Sequence, residues 1–342
     1  MRKVPIPVTM KICEDYESLL EAFTNYLKQE KIEKLAFISG TFSQSVLTEK
    51  LISDIEINTC LPEEAEFIVG IGGGKSLDKA KLEAKKHGKK FISIPTLIGH
   101  DGICSPVAVI DGKSYGAVMP EALFVPLYLI EEAPIKQIQS GIGDLISNLS
   151  AIEDWKLACA HGEAEMDDFA IMLSRRAAMN VIKSLEQMKT EEGLRNKDFL
   201  KSLIESLALS GIAMSISGNS RPCSGAEHMI SHAIDEIYGS GVKAPHGIQV
   251  LIASLYLEKL RGYDLLDNAN NSVILSPKGE GPNALTGDSR LTKILSKLNF
   301  PINFSDINIP EEEMERILEL APRTRPGRFS ILNLKLEAKL KG

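Results

Sequence analysis

Three of the chain's six histidines fall within residues 211–250, where their neighbours are small, apolar or turn-forming. His228 and His232 are four positions apart, so they share one helix face, which is the spacing of a helical metal-binding pair. His246 follows after a glycine turn, in the sequence APHG. This stretch predicts two ligands of a catalytic metal, either His228 with His232 or His228 with His246. Hydrogen-bonded core histidines are the alternative interpretation.

Asp144, in the sequence GIGDLISN, is the predicted third ligand. We expect it at the N-cap or in the first turn of a helix that begins after Gly141 and Gly143. Its apolar neighbours are unusual for a solvated carboxylate, and a buried carboxylate needs a partner such as a metal ion. A helix N-cap without chemical function is the alternative. One carboxylate with two imidazoles and an open position is a known catalytic zinc arrangement.

A glycine-rich loop, GGGKS at 72–76, separates an apolar strand from a helix. Glycines let the backbone approach a pyrophosphate, and a helix N-terminus offers free N–H groups to it. The pattern is neither GxGxxG nor a P-loop, so a tight turn is the alternative. Asp78 follows in the helix, where it could complement the dipole, hold the loop or contact a ligand.

A second loop, TLIGHDGICSP at 96–106, opens at the carboxyl end of a predicted strand, where open α/β sheets bind ligands. Thr96 and Ser105 offer hydroxyl groups suited to a cofactor's phosphate or amide. Asp101 places an acid beside them, with a turn role before glycine as the alternative.

Strands and helices alternate in the part of the chain that would position these loops. Apolar runs predict strands, and apolar periodicity predicts helices between them, with strands at 35–39, 67–71 and 91–95 and helices at 14–33, 43–52 and 76–88. Two further strands are expected in 107–112 and 123–130. This order indicates an α/β domain with a Rossmann-like parallel sheet, residues 1–134.

Beyond Pro134 strand signals nearly vanish, which predicts an all-helical C-terminal domain, residues 135–342. The expected helices cover 135–160, 164–189, 197–217, 224–238, 246–261, 290–298 and 310–321. A polar connection rich in glycine, proline and asparagine is expected at 262–289. A ligand cleft between the two domains follows from this organisation.

Composition excludes several classes of protein. The 342-residue chain is 44% hydrophobic and carries a net charge of −7, so general nucleic-acid binding is not expected. Five scattered cysteines without a CxxC argue against disulfides and a thiolate zinc site, which favours a reducing, cytoplasmic location. No apolar run reaches about 18 residues and no signal peptide is recognisable, so no membrane span is expected.

Five sequence segments together resemble the sn-glycerol-1-phosphate dehydrogenase family, the archaeal enzymes that make the glycerophosphate backbone of archaeal lipids. The segments occur in the family's order across residues 70–247 and read GIGGGKSLDKAK, SIPTLIGHDGICSP, GIGDLISNLSAIEDWKLA, SGNSRPCSGAEHMISHAID and APHG. The wider superfamily contains glycerol dehydrogenases, iron-dependent alcohol dehydrogenases and dehydroquinate synthases. The resemblance therefore implies a dehydroquinate synthase-like fold.

The resemblance also implies the roles of individual residues. Zinc would bind Asp144, His228 and His246, while Asp101, Asp144 and His232 would face the substrate and act in catalysis. NADP(H) or NAD(H) would contact Gly74, Lys75, Ser76, Leu77, Asp78, Thr96, Leu97, Ile98, Gly99 and Ser105. The implied reaction is reversible, NAD(P)- and zinc-dependent reduction of dihydroxyacetone phosphate to sn-glycerol 1-phosphate for archaeal-type phospholipid biosynthesis, in a homo-oligomer.

The chain departs from the family pattern at two positions. Many relatives carry a small hydroxyl residue where this chain has Gly99, and relatives often carry glutamate where it has Ile248. Arg221 and Lys75 are candidates for the substrate phosphate. The first strand ends without an acid for a ribose 2′-hydroxyl, which leans towards NADP(H).

Three other functions were weighed against this one. A glycerol or other polyol dehydrogenase would use the same scaffold with a different substrate. A dehydroquinate synthase-like lyase usually carries glutamate at the first metal ligand, where this chain has Asp144. A nucleotide-binding protein without catalysis would need neither metal nor turnover.

Overall fold

A computed structural model describes residues 4–40, 42–55, 57–110, 112–242, 244–270 and 289–335. Most of the polar connection expected at 262–289 lies outside these ranges. The described residues form a parallel sheet flanked by helices, followed by a group of long helices.

The sheet has six strands in the order β1-β8-β5-β4-β2-β3, all parallel, and a separate antiparallel hairpin pairs β6 with β7. The strand bounds are β1 Thr9–Cys13, β2 Lys34–Ser39, β3 Asn58–Thr59, β4 Phe67–Gly72, β5 Lys90–Pro95, β6 Val107–Ile110, β7 Lys113–Gly116 and β8 Ala122–Pro126. The α/β prediction is confirmed. β4 and β5 end side by side, with Gly72 paired to Pro95, so the two predicted ligand loops leave the same edge of the sheet.

Helices α1 Tyr16–Gln29, α2 Phe42–Ile55 and α3 Gly74–His87 cover the two faces of the sheet. Ile68 of β4 packs with α3, and the next residue, Val69, packs in the cluster that contains α1. Alternate residues of each strand therefore enter different cores, which explains why all six residues of β4 are buried. Each such aliphatic side chain contributes about 1.5–3 kcal/mol on burial.

The strand predicted at 123–130 is only partly correct. β8 ends at Pro126, and a short helix, α4 Leu127–Glu131, begins at the next residue. Proline has a fixed φ and no N–H, so it ends the ladder and is tolerated at a helix start. The apolar run alone could not show this change, because buried strands and buried helix turns have the same composition.

The second part of the chain is helical, as predicted. Its helices are α5 Ile135–Ala160, α6 Asp168–Gln187, α7 Lys197–Ser217, α8 Ala226–Tyr238, α9 His246–Arg261, α10 Leu265–Asn270, α11 Arg290–Lys297 and α12 Met314–Thr324. Side-chain caps mark their starts: the carboxylate of Asp167 accepts from the third residue of α6, and Asn196 caps α7.

α7 is long and apolar enough to cross a membrane, with a mean hydropathy of 1.4, but 67% of that segment is buried inside the protein. Burial of this kind is typical of a core helix. It is the one such helix in the described part of the chain, and a single buried helix of this kind is weak evidence for a membrane span.

α5 passes through the middle of the helical part, and two of its glycines allow close packing. A Cβ on Gly141 would lie 2.1 Å from the carbonyl oxygen of Ile98, and one on Gly143 would lie 2.3 Å from that of Gly247. The prediction that Asp144 lies at the start of a helix is therefore wrong, whereas the helix predicted over 135–160 is confirmed. α5 begins at Ile135, and Asp144 lies in its third turn rather than at its N-terminus.

The domain boundary predicted at Pro134 stays a prediction. The last strand ends before it and the long helices begin after it. One buried apolar cluster nevertheless contains residues of α3 and of α5 to α7, so the two parts share a core.

Candidate active site

Asp144, His228 and His246 converge from α5, α8 and α9, with one potential ligand atom from each within 4.8 Å of the others. Asp144 Oδ1 lies 3.8 Å from His228 Nε2 and 4.0 Å from His246 Nε2. These separations are too long for hydrogen bonds. Two atoms that each lie about 2 Å from one zinc ion are about 3 to 4 Å apart, so the spacing fits a shared cation.

Both imidazoles of this cluster are held through the ring nitrogen that faces away from Asp144. His228 Nδ1 lies 2.9 Å from Glu227 Oε1, and His246 Nδ1 lies 3.0 Å from Ser231 Oγ. Such contacts fix the tautomer and orientation of metal-binding histidines. Each Nε2 is therefore directed towards the carboxylate of Asp144 with its lone pair available.

The electrostatics of the cluster suit a cation. Burial, together with the nearby carboxylate of Asp101, raises the pKa of Asp144, and burial lowers the pKa of His228 and of His246. Neutral imidazoles are the form that binds metal ions. No lysine or arginine among the described residues forms an ion pair with Asp144, so its buried carboxylate has no permanent counter-charge.

His232 lies one turn beyond His228 on α8, and its surroundings differ. Its Nε2 lies 3.0 Å from an NH2 nitrogen of Arg325, and its Nδ1 is buried without a hydrogen-bond partner among the described residues. Burial, followed by the charge of Arg325, lowers the pKa of His232 to about 3. The geometry thus groups His228 with His246, and places His232 beside the pair.

The glycine-rich loop and the second loop meet at the carboxyl edge of β4 and β5. β4 ends at Gly72, α3 begins at Gly74, and Thr96 N donates to the Gly72 carbonyl at 2.9 Å. The imidazole of His100 packs against Gly74, where a Cβ would lie 2.3 Å from Nε2. This edge carries the residues that were predicted to bind the cofactor, namely Gly74, Lys75, Ser76, Leu77, Asp78, Thr96, Leu97, Ile98, Gly99 and Ser105.

Asp78 is buried and joins α3 to the hairpin. Its carboxylate accepts from Val109 N at 2.9 Å and pairs with Lys81 Nζ at 3.2 Å. Lys81 also donates to the Val107 carbonyl at 2.8 Å and lies 3.5 Å from Ser105 Oγ. Asp78 therefore holds the β6–β7 hairpin against α3, which is not one of the three roles predicted for it. Its contact with the cofactor stays a prediction.

Asp101 begins a 3₁₀ turn, Asp101–Cys104, and connects the loop to two helices. Its backbone N–H donates to Asp144 Oδ2 at 2.8 Å, and its Oδ2 accepts from Ser210 Oγ of α7 at 2.9 Å. Burial raises the pKa of the Asp101 carboxyl group. Asp101 thus contacts Asp144 through its backbone, while its carboxylate is held by Ser210. A contact between Asp101 and the substrate stays a prediction.

The two departures from the family pattern have local explanations. A Cβ on Gly99 would lie 2.8 Å from Gln137 Oε1, so the place of the missing side chain is filled by a neighbouring amide. Ile248 is 1% exposed and packs in an apolar cluster. Polar support for His246 comes instead from Ser231, whose hydroxyl group donates to Gln249 Oε1 at 2.9 Å.

Two sets of functional candidates were missed in the sequence. Glu227 is fully buried beside His228. It could have been found from the sequence, because it lies directly before His228 in the segment GAEHMISH. Arg325 and Arg328 lie in a polar segment about 100 residues from the histidines, PRTRPGRF, where nothing in the sequence indicates burial. Arg221 lies near them, with NH1 3.5 Å from the Phe329 carbonyl, whereas Lys75 is exposed on the cofactor side.

The fold is similar to that of solved dehydrogenases and reductases. Glycerol dehydrogenase from Schizosaccharomyces pombe matches with a TM-score of 0.70 and 18% identity over 96% of this chain and 85% of that one. A sulfoacetaldehyde reductase from Bifidobacterium kashiwanohense, solved in complex with NAD+, matches with a TM-score of 0.66 and 15% identity over 96% and 93%. At these identities the likeness shows the fold, which confirms the predicted fold class.

Sequence comparison identifies the family. The iron-containing alcohol dehydrogenase family matches residues 40–134. Glycerol-1-phosphate dehydrogenase [NAD(P)+] of Hyperthermus butylicus is 32% identical over 93% of this chain and 80% of its own length. The enzyme of the same name from Staphylothermus marinus is 34% identical over 79% and 69%. With these matches and the site described above, the chain belongs to the glycerol-1-phosphate dehydrogenase family.

Proposed function

We propose that this protein is an NAD(P)-dependent, zinc-dependent oxidoreductase that reversibly reduces dihydroxyacetone phosphate to sn-glycerol 1-phosphate, for archaeal-type membrane phospholipid biosynthesis. The observation that carries the proposal is the convergence of Asp144, His228 and His246 beside a glycine-rich helix N-terminus. This occurs in a chain that is similar over most of its length to enzymes named for that substrate.

Asp144, His228 and His246 would hold the zinc ion, and the donor set fits it. A buried carboxylate without a cationic partner and two neutral imidazoles with free Nε2 atoms are the chemistry that zinc requires. Zinc bound there supplies Lewis acidity towards the C2 oxygen of the substrate. The protein's own contribution is to fix the three donors from three helices, with Asp144 and His228 buried and His246 partly exposed.

The nicotinamide cofactor would lie along the carboxyl edge of β4 and β5. The N-terminus of α3 presents backbone N–H groups from Gly74 onwards to a pyrophosphate, and its dipole favours the negative charge. The loop that begins at Thr96 connects this edge to Asp101, which contacts Asp144. One short loop would thus connect the cofactor to the cluster of Asp144, His228 and His246. We propose both NADP(H) and NAD(H) as cofactors.

Asp101 and His232 are the two side chains that we propose to donate or accept the proton of the substrate hydroxyl group. Arginine can only donate hydrogen bonds, so His232 Nε2 must accept from Arg325. The proton of the neutral ring is then on Nδ1, which lacks a partner. We propose that this buried Nδ1–H donates to a substrate oxygen, while Asp101 and Asp144 provide the negative side of the site.

The cellular setting is also part of the proposal. We infer a cytoplasmic homo-oligomer that acts on a small phosphorylated molecule and binds no nucleic acid. The support is the family, the net charge of −7 and the burial of α7, the one described helix with the composition of a membrane span.

The experiment is a comparison of substrates. Oxidation of NADPH and of NADH is followed with dihydroxyacetone phosphate and with dihydroxyacetone, and repeated after chelation and re-addition of zinc. We expect kcat/KM to be much higher for the phosphorylated ketone and to depend on zinc. Equal values would favour a polyol dehydrogenase, which the fold comparisons keep as the second candidate. Full activity in a metal-free protein would contradict the mechanism.

A further inference from the structure

Two guanidinium groups, those of Arg325 and Arg328, lie beside His232 at the end of α12. Arg325 donates through NH2 to Ser114 Oγ of the hairpin at 2.8 Å and to His232 Nε2 at 3.0 Å, and through NH1 to Ser224 Oγ. Arg328 donates to the Ser224 carbonyl and, at 2.9 Å, to Ser220 Oγ. All these partners are neutral. No carboxylate among the described residues forms an ion pair with either arginine.

A third buried arginine shows how unusual this is. The Arg261 side chain is only 3% exposed, but its NH2 lies 2.9 Å from Asp154 Oδ1. Burial acts to lower the pKa of Arg261, and the charge of Asp154 leads the opposing causes that leave it raised. For Arg325, burial lowers the pKa to about 10, and for Arg328 burial, followed by the charge of Arg325, lowers it to about 9. The carboxylate of Glu227 opposes both shifts without forming an ion pair. Burial of a cation without an ion-pair partner costs free energy. Binding of an anion beside these two guanidinium groups would offset that cost.

Two N–H groups without hydrogen-bond partners also indicate an anion site. Arg325 Nε is buried and lacks a hydrogen-bond partner among the described residues, as does His232 Nδ1. Guanidinium groups bind phosphate through pairs of parallel N–H donors, and here two guanidinium groups share Ser224 as a neighbour. The His232 ring lies 6.2 Å from the His246 ring, so the arginines are one side chain away from the metal cluster.

We propose that Arg325 and Arg328 form the subsite for the phosphate of the substrate, which rests on the proposed function. The ketone end would then be directed to the Asp144, His228 and His246 cluster, and His232 would lie between the two ends. Among the candidates suggested by the sequence, Arg221 would add long-range positive charge.

The test measures how strongly the enzyme prefers dihydroxyacetone phosphate to dihydroxyacetone, in addition to its activity. For wild type, Arg328→Gln and the exposed control Arg323→Gln, kcat/KM is determined with dihydroxyacetone phosphate and with dihydroxyacetone. We expect Arg328→Gln to lower the ratio of the two values by about 10- to 100-fold, mainly through KM of the phosphorylated ketone. Arg323→Gln should keep the wild-type ratio. Inorganic phosphate should compete with dihydroxyacetone phosphate in the wild type and lose this effect in Arg328→Gln.

Arg328→Lys covers the case in which the glutamine variant does not fold. Lysine keeps the charge but loses the forked donors, so its ratio should fall between those of the wild type and Arg328→Gln. A wild-type ratio in either Arg328 variant would overturn the subsite. A wild type that does not distinguish the two ketones would instead refute the proposed function, so the two failures are separable.

Discussion

The two ends of one face of α8 have opposite electrostatic surroundings. At the N-terminal end, His228 lies among carboxylates, with Glu227 on one ring nitrogen and Asp144 facing the other. One turn later, His232 lies against Arg325. The same residue type at helical spacing therefore has two environments, one suited to a cation and the other to an anion.

This difference gives the site a direction. A substrate with a carbonyl group at one end and a phosphate at the other would be oriented by charge alone under our proposals. The acidic end of the site is Asp144, Glu227 and Asp101, and the arginine end is Arg325 and Arg328. A polyol without phosphate would use only the acidic end, so the arginine end is the feature that separates the two candidate functions.

Asp154 supports both ends, and its removal should have the largest effect on stability. Its carboxylate pairs with Arg261, accepts from Ala226 N at the start of α8 at 2.6 Å, and accepts from Ile331 N, three residues after Arg328, at 3.1 Å. Asp154→Asn leaves a buried guanidinium group uncompensated, so we expect about 3 kcal/mol loss in the free energy of unfolding, measured by denaturant titration. Asp168→Asn, an exposed aspartate in α6, is the control. Equal stability of the two variants would contradict this account.

Replacement of Glu227 should affect chiefly the acidic end. Glu227→Gln keeps the shape but weakens the contact with His228 Nδ1. Loss of such a supporting contact typically lowers metal affinity by about 10- to 100-fold. Competition with a chromophoric zinc chelator measures this change. The preference for dihydroxyacetone phosphate over dihydroxyacetone should change much less than the metal affinity, because Arg325 and Arg328 keep all their hydrogen bonds and lose only the longer-range charge of Glu227. A collapse of that preference would mean that the two ends are not independent.

Gly99→Ser should have the smallest effect. The new Cβ would meet only the flexible end of Gln137, and Ser140 Oγ already holds the Gly99 carbonyl at 2.7 Å. We expect less than about 1 kcal/mol change in stability and KM values for NADPH and for dihydroxyacetone phosphate close to the wild type. A large change in KM for the cofactor alone would show that this departure from the family pattern matters for the nucleotide.

Much of the fold was predictable from the sequence, because apolar runs and helical periodicity report burial directly. The errors arose where one residue type has two uses. Gly141 and Gly143 resemble a helix start, but they lie inside α5 to admit the backbones of neighbouring segments. Pro126 ends a strand within a continuous apolar run.

The candidate site was only partly predictable for a different reason. Spacing along the chain favoured His228 with His232 as much as His228 with His246, because it contains no information on α5 or α9. The family resemblance supplied the second pairing. Arg325 and Arg328 had no sequence signal at all, since their importance depends on the lack of an acidic partner in three dimensions.

Zinc content tests the division of α8 most directly. His232→Ala and His246→Ala are purified alongside the wild type, and bound zinc per chain is measured by mass spectrometry after dialysis. We expect His232→Ala to keep the wild-type zinc content and His246→Ala to lose it. Loss of zinc in His232→Ala with full retention in His246→Ala would contradict it.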